Sequence, residues 1–405
     1  MQTTRLSRSI YDDIDRKIRR FLWGGIANER KAHLVHWNSV TKPKELGGLG
    51  LCAMRQLNSV HLAKLGGRVM NEIDSLWTRA LRSKYCKVRC RLEDISMKTT
   101  DSHTWRGIAE NINILCKGLG VVVGDGRTTH FWTRQWTGPK ALIDLTAGQT
   151  PSNELSLLVC DYWEEGRGWK WEKLTELISE EVLKSIASFE LISDNKLQDQ
   201  FFSRGTSSGQ FTLKSALLVI YNEEETEGEV YWLHLWKLTA PQTIKVFAWL
   251  ALHDRLMTNI NRINRGLTDN PFYAGCEIAY EDVDHVLRAC PRAKAIWQYF
   301  ASMNLGKKGF NKDFHCWVLL NLRVKEQEET WPMKFLIILW YIWKWRNDIC
   351  FDRNEQIPQD RISFLQNAMK CLTPYTRSHM KLRKVYPDDT RFLFDGNRFL
   401  LGGQC

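Results

Sequence analysis

The sequence predicts a mainly α-helical protein with small β elements, an α+β class of several packed helical units and one incomplete cysteine–histidine segment. Apolar residues recur at helical spacing in several stretches, whereas strand-like patterns are confined to Val121–Trp132 and Gln210–Leu213. Of the 405 residues, 43% are apolar and 25% charged, the balance of a packed chain with room for two or three cores.

The first element reads as an amphipathic helix. Ile10, Ile14, Ile18 and Leu22 share one face, and Arg16, Lys17, Arg19 and Arg20 gather on the others. Ser9 with Asp12 gives a capping-box-like start, and Gly24-Gly25 a stop. Lys42-Pro43-Lys44-Glu45-Leu46-Gly47-Gly48-Leu49-Gly50 reads as a tight turn needing positive φ angles. It lacks the Lys-Ser/Thr ending of a phosphate-cradling loop, which excludes nucleotide binding of that type.

Helical spacing resumes from Gln56 to about Tyr85, with Leu57, Val60, Leu65, Val69, Leu76 and Leu81 offered to a core. Val121-Val122-Val123-Gly124-Asp125-Gly126-Arg127 followed by Thr128–Trp132 predicts a β-hairpin, with Trp132 and Trp136 as core anchors. The stretch from Glu164 to Phe202 reads as helical, and Gly205–Gly209 as a turn. Glu223-Glu224-Glu225 with Glu227 and Glu229 marks a loop and a boundary. Pro241 then opens a strongly apolar helix toward His253, Trp331-Pro332 opens another to about Phe351, and a moderate helix follows Pro358.

The net charge of +11 favours polyanionic partners, nucleic acid (RNA or DNA) before a membrane surface. Lys17, Arg19 and Arg20 are the candidate phosphate contacts; a merely solvated basic face is the competing reading. The N-terminus has no apolar core of a secretory signal, and the apolar run Phe335–Trp343 is about half of the roughly 20 residues that cross a bilayer. An intracellular protein of nucleus or cytoplasm is expected, with no membrane partner, and its eleven cysteines read as thiols or metal ligands rather than disulfides. The oligomeric state is not legible.

Cys276, His285 and Cys290 form the compact cluster. Zinc takes tetrahedral thiolate and imidazole donors, and structural sites use four. Only three are local, because Tyr273 stands where the other member of a Cys-x2-Cys pair belongs. Glu281 is the candidate oxygen donor, and buried thiols without metal are the alternative.

These features resemble, in one order along most of the chain, the region downstream of the polymerase core in plant LINE-type (non-LTR) retrotransposon polyproteins, including their reverse-transcriptase zinc-binding domain. The motifs are Arg20-Phe-Leu-Trp-Gly24 with Trp37; Pro43-Lys44 leading to Gly47-Gly-Leu-Gly50; Asn58 with Leu62-Ala-Lys64; Gly124-Asp-Gly-Arg127 with Phe131-Trp132; and Ser208-Gly-Gln-Phe211. Trp236-Lys-Leu with Pro241 and Lys245-Val-Phe-Ala-Trp249 follow, then the cluster ending Cys290-Pro291 with Trp297, and Trp340 with Trp343-Lys-Trp-Arg-Asn347. The resemblance implies four regions: 1–100 after the polymerase core, 101–222 a mixed connecting region, 230–320 the zinc-binding-like domain, and 321–405 a C-terminal helical region and tail too short for a ribonuclease H domain. It also implies that Cys276, Glu281, His285 and Cys290 match the zinc pattern, with zinc at low occupancy because Tyr273 replaces a cysteine.

Tyr386-Pro-Asp-Asp389 has the letters of the polymerase Tyr-x-Asp-Asp motif but follows the zinc-binding-like segment, whereas the resemblance puts the polymerase core before this region. Gly205-Thr-Ser-Ser-Gly209 has the letters of a Gly-x-Ser-x-Gly elbow but reads as a turn, and no His-Glu-x-x-His pair occurs. The expectation is therefore a non-catalytic, retrotransposon-derived protein that binds nucleic acid through basic surfaces. The rivals are a part of an active reverse transcriptase/ribonuclease H polyprotein and a protein-interaction scaffold.

Overall fold

A computed structural model describes residues 3–24, 32–72, 75–86, 95–138, 140–146, 153–175, 177–191, 198–221, 229–302, 309–323 and 330–371. The chain divides into two compact units, Met1–Lys17 with Cys52–Glu225, and Ile18–Leu51 with Thr226–Cys405. The acidic run from Glu223 to Glu227 lies outside the described residues, as do Gly25, Cys90 and everything beyond 371.

Helix α1 (Arg8–Leu22) follows the apolar stripe, and the single turn α2 (Trp37–Val40) belongs to the second unit. The expected long helix is two. Helix α3 (Met54–Asn71) stops where Glu72 turns extended, and α4 (Leu76–Tyr85) restarts after Ser75, leaving Leu76 82% exposed instead of in a core. Val60 and Val69 are buried as the spacing requires. Helices α5 (His103–Glu110) and α6 (Ile112–Gly118) pack on α3 through Trp105, Ile108 and Leu115. Ser102 starts α5 by accepting the Trp105 amide.

Strand β1 (Leu119–Val122) forms where expected, but its partner is not Thr128–Trp132. It pairs antiparallel with β4 (Gln200–Ser203), Val121 opposite Phe201. The residues between turn back on themselves because the Asp199 carboxylate gathers them. It accepts from the Gly124, Gly126 and Thr128 amides at 2.8, 2.9 and 3.0 Å and from the Thr128 and Thr129 hydroxyls at 2.7 and 2.8 Å. Burial alone would raise this carboxyl; the hydrogen bonds from Thr128, Gly124, Thr129 and Gly126 outweigh it and hold it below the ordinary aspartate value.

The stretch expected to be helical from Glu164 is instead β2 (Trp163–Glu164) hairpinned to β3 (Gly168–Trp169), then the short helices α7 (Trp171–Leu174) and α8 (Glu180–Ala187) before β4. Aromatic packing decides this. Phe131, Trp132, Trp136, Tyr162 and Trp169 make one buried cluster, with the Trp132 and Trp136 indoles donating to the Tyr162 hydroxyl at 2.8 Å and the Phe131 carbonyl at 2.9 Å. Residues 210–212 are not a strand; they lead into α9 (Leu213–Tyr221), which packs on α3 and α6.

The second unit is helical: α10 (Glu229–Lys237), α11 (Gln242–Leu252), α12 (Asn259–Ile263), α13 (Pro291–Ser302), α14 (Phe314–Leu322) and α15 (Trp331–Cys350), with helical residues again at 361–371. Pro241 is the N-cap of α11, and α15 is buried nearly all round, which is why its sequence is apolar on every face. The glycine turn is locked to α11: Gly47, at φ +83°, presents its carbonyl to the Trp249 indole at 2.7 Å and to His253 Nε2 at 2.9 Å. A Cβ on Gly48 would lie 1.8 Å from the Lys42 carbonyl oxygen, so only glycine fits there. Among the described residues no helix is long and apolar enough to cross a membrane.

Candidate metal centre

The three donors are brought together by a loop and an unusual helical turn. An antiparallel bridge between Phe272 and Tyr280 closes the loop that carries Cys276. At its tip the Cys276 and Glu277 amides both donate to the Tyr273 carbonyl, at 3.1 and 2.8 Å, and Glu277 takes a φ of +54°. His285 then opens a π-type turn, His285–Ala289, closed by the Cys290 amide on the His285 carbonyl at 2.7 Å. Turns of this width recur at functional sites because they displace one side chain from the helical stack.

The turn is held from outside. Asp282 accepts the His285 amide at 2.6 Å, Arg288 forks onto Asp284 and donates to the Lys312 carbonyl at 2.7 Å, and the Trp297 indole donates to Leu287 at 2.8 Å.

In this frame one donor atom each from Cys276, His285 and Cys290 lies within 4.8 Å of the others, and Cys276 Sγ is 3.2 Å from His285 Nε2. It is the one such group of three among the described residues. Burial pushes the Cys290 thiol up, the neighbouring Cys276 adding to it, and burial pushes His285 down despite Asp282 and Asp284. A neutral imidazole is what a metal needs; the thiols must lose protons on binding. All cysteines among the described residues are free thiols.

Neither Tyr273 nor Glu281 belongs to the gathered group. Tyr273 is buried, its ring edge-on to His285 at 6.1 Å between centroids and pressed on Gly275, and burial raises its phenol well above the ordinary value. Glu281, the candidate oxygen donor, is outside the gathered group; its Oε1 is engaged, and its buried Oε2 has no hydrogen-bond partner among the described residues. Oε1 accepts Arg346 Nη2 and the Asn259 amide, the latter at 3.0 Å, and both partners of the ion pair are buried. Burial pushes the Glu281 carboxyl up, with the Arg346 guanidinium opposing it. The donor set of two thiols and one imidazole fits a zinc-type ion, and among the described residues it supplies three of the four ligands a structural site uses.

The other predicted contacts lie on α1. Lys17 and Arg20 are exposed, whereas the Arg19 guanidinium sits over the Trp37 ring at 5.5 Å. Spacing missed Arg346 and Asp199, since both act on residues more than sixty positions away.

Taken together, the second unit is a mainly helical fold that carries a cysteine–histidine–cysteine set of zinc-type donors. Residues 211–297 match the family described as zinc-binding in reverse transcriptase, a span that includes all three donors. Over 372 residues the chain is 31% identical to the Arabidopsis thaliana protein named "Putative ribonuclease H protein", covering 90% of this chain and 60% of that relative. It is 33% identical to an Arabidopsis thaliana "Uncharacterized mitochondrial protein" over 137 residues, 34% of this chain and 88% of the relative. The chain belongs to the plant retrotransposon reverse-transcriptase-region proteins. It spans 60% of the length of the longer relative.

Proposed function

We propose that this chain is a non-catalytic segment of the retrotransposon reverse-transcriptase region that binds RNA or DNA through its basic surfaces. The observation that carries this is the surplus of +11, with Lys17 and Arg20 exposed within the basic face of α1. Cations at i and i+3 lie side by side on a helix and can each displace a counterion from a phosphate. Arg19 contributes less, because its guanidinium is spread over Trp37.

The metal-type group supports the reading as a feature of the zinc-binding region that the chain matches. Cys276, His285 and Cys290 would hold zinc, which would tie the loop to the π turn; without a fourth thiolate the affinity is low and the occupancy partial.

Binding of labelled single strands, duplexes and RNA hairpins to the purified chain tests the proposal. Affinity should fall steeply as salt rises; no binding in low salt, or binding indifferent to salt, contradicts it. The longer relative favours a second reading, in which this chain works as one part of an active polyprotein. Template-dependent synthesis or RNA cleavage with magnesium or manganese by the chain itself would favour that reading over ours.

A further inference from the structure

The first unit contains a cavity that no expectation from the sequence touched. It has a volume of about 360 Å³ and lies among the start of α1, α3 and the junction of α5 and α6. Three arginines, Arg5, Arg8 and Arg55, line it against a single carboxylate, Glu110.

Its polar floor is already saturated. The buried Asn58 accepts the Tyr11 hydroxyl at 2.6 Å and donates to the Thr4 carbonyl at 3.0 Å, and the Tyr11 oxygen accepts the Leu6 amide at 3.2 Å. Glu110 is committed to Arg5. What remains at the rim is cationic. Arg8 is 93% exposed, its nearest carboxylate being Asp12 at 4.0 Å, and Arg55 is exposed and makes no hydrogen bond or ion pair among the described residues. Ser59 adds a half-buried hydroxyl beside them.

We propose that this cavity is a seat for a backbone phosphate of a single nucleic-acid strand, held between Arg8 and Arg55, with Arg5 fixed in place by Glu110. The proposal rests on the nucleic-acid reading above and names a location for it other than the Lys17–Arg20 face. A phosphodiester offers two acceptor oxygens, which suit guanidinium forks, and the cavity is at the small end of the range of ligand sites.

The test is fluorescence anisotropy of a labelled single-stranded 20-mer with the full chain, at a series of salt concentrations. Arg8→Gln/Arg55→Gln is compared with Lys173→Gln/Lys184→Gln, which removes the same charge from other exposed positions of the same unit. The pocket variant should bind about tenfold more weakly at 0.1 M salt and lose about 0.7 from the slope of log K against log salt, the value for one phosphate contact on a single strand; the control should change less than about twofold. Ser59→Glu, which places an anion in the cavity, should reproduce the loss. Equal losses in the pocket and control variants, or no loss in the pocket variant, would overturn this seat while leaving nucleic-acid binding standing. No binding by the wild-type chain would overturn both.

Discussion

Replacing Glu281 separates a structural carboxylate from a metal ligand. Its side chain is fully buried and Arg346 is 3% exposed, so Glu281→Gln leaves a guanidinium in the interior facing a neutral amide. Two charges about 4 Å apart attract by roughly 4 kcal/mol at an effective dielectric near 20. Removing one partner of a buried pair costs about 3–5 kcal/mol because the other stays desolvated. Glu281→Ala should cost about 1–3 kcal/mol more, as the Asn259 amide also loses its acceptor.

Urea unfolding followed by tryptophan fluorescence and far-UV circular dichroism reads these losses. The double variant Glu281→Met/Arg346→Met should recover most of the stability, since two apolar side chains need no partner. Zinc affinity should change little in Glu281→Gln once the protein is folded. A stability cost under about 1 kcal/mol together with loss of zinc binding would refute this assignment and make Glu281 the missing ligand.

Other consequences are as direct. Asp199→Ala strips the acceptor from three amides and two hydroxyls and should destabilise the first unit by about 3–5 kcal/mol, read as earlier urea unfolding and faster hydrogen exchange at Gly124, Gly126 and Thr128. Because the folded carboxyl lies below its unfolded value of 3.8, its contribution is complete above about pH 4 and is lost as pH falls through the lower folded value. Acid titration of wild type and Asp199→Ala should therefore converge at low pH; a constant gap would contradict the sign. Gly48→Ala drives a methyl onto the Lys42 carbonyl and should cost at least about 2 kcal/mol in thermal or urea unfolding, whereas Gly138→Ala, with open space around it, should cost under about 1 kcal/mol.

Elements whose determinants are local were legible in the sequence. The helices α1, α11 and α15 follow from spacing and from residues at their ends, and the Trp132 and Trp136 anchors follow from indoles that find partners when buried. What was not legible depends on distant partners. Val121 and its neighbours look like the first arm of a hairpin, but the Asp199 latch and β4 arrive from more than seventy residues on and turn the second arm into a loop. Likewise the even apolar spacing from Gln56 to Tyr85 conceals a break, because Glu72 and Ser75 end and restart a helix without interrupting the pattern. In the centre itself the spacing pointed to Cys276, His285 and Cys290, whose donor atoms lie within 4.8 Å of one another, but not to the ion pair of Glu281, because its buried cation is sixty-five positions away on α15.

The centre lacks a fourth thiolate at Tyr273, and counting zinc per chain tests that claim most directly. Purified wild-type protein and Tyr273→Cys, each saturated with zinc and dialysed against a weak chelator, are compared by elemental analysis. The wild-type chain should retain well under one equivalent, and the variant should approach one, since a complete set of ligands binds with about 10–16 kcal/mol. Near-stoichiometric zinc in the wild-type protein, removed by Cys276→Ser, would mean that the fourth ligand is already present and would contradict the account.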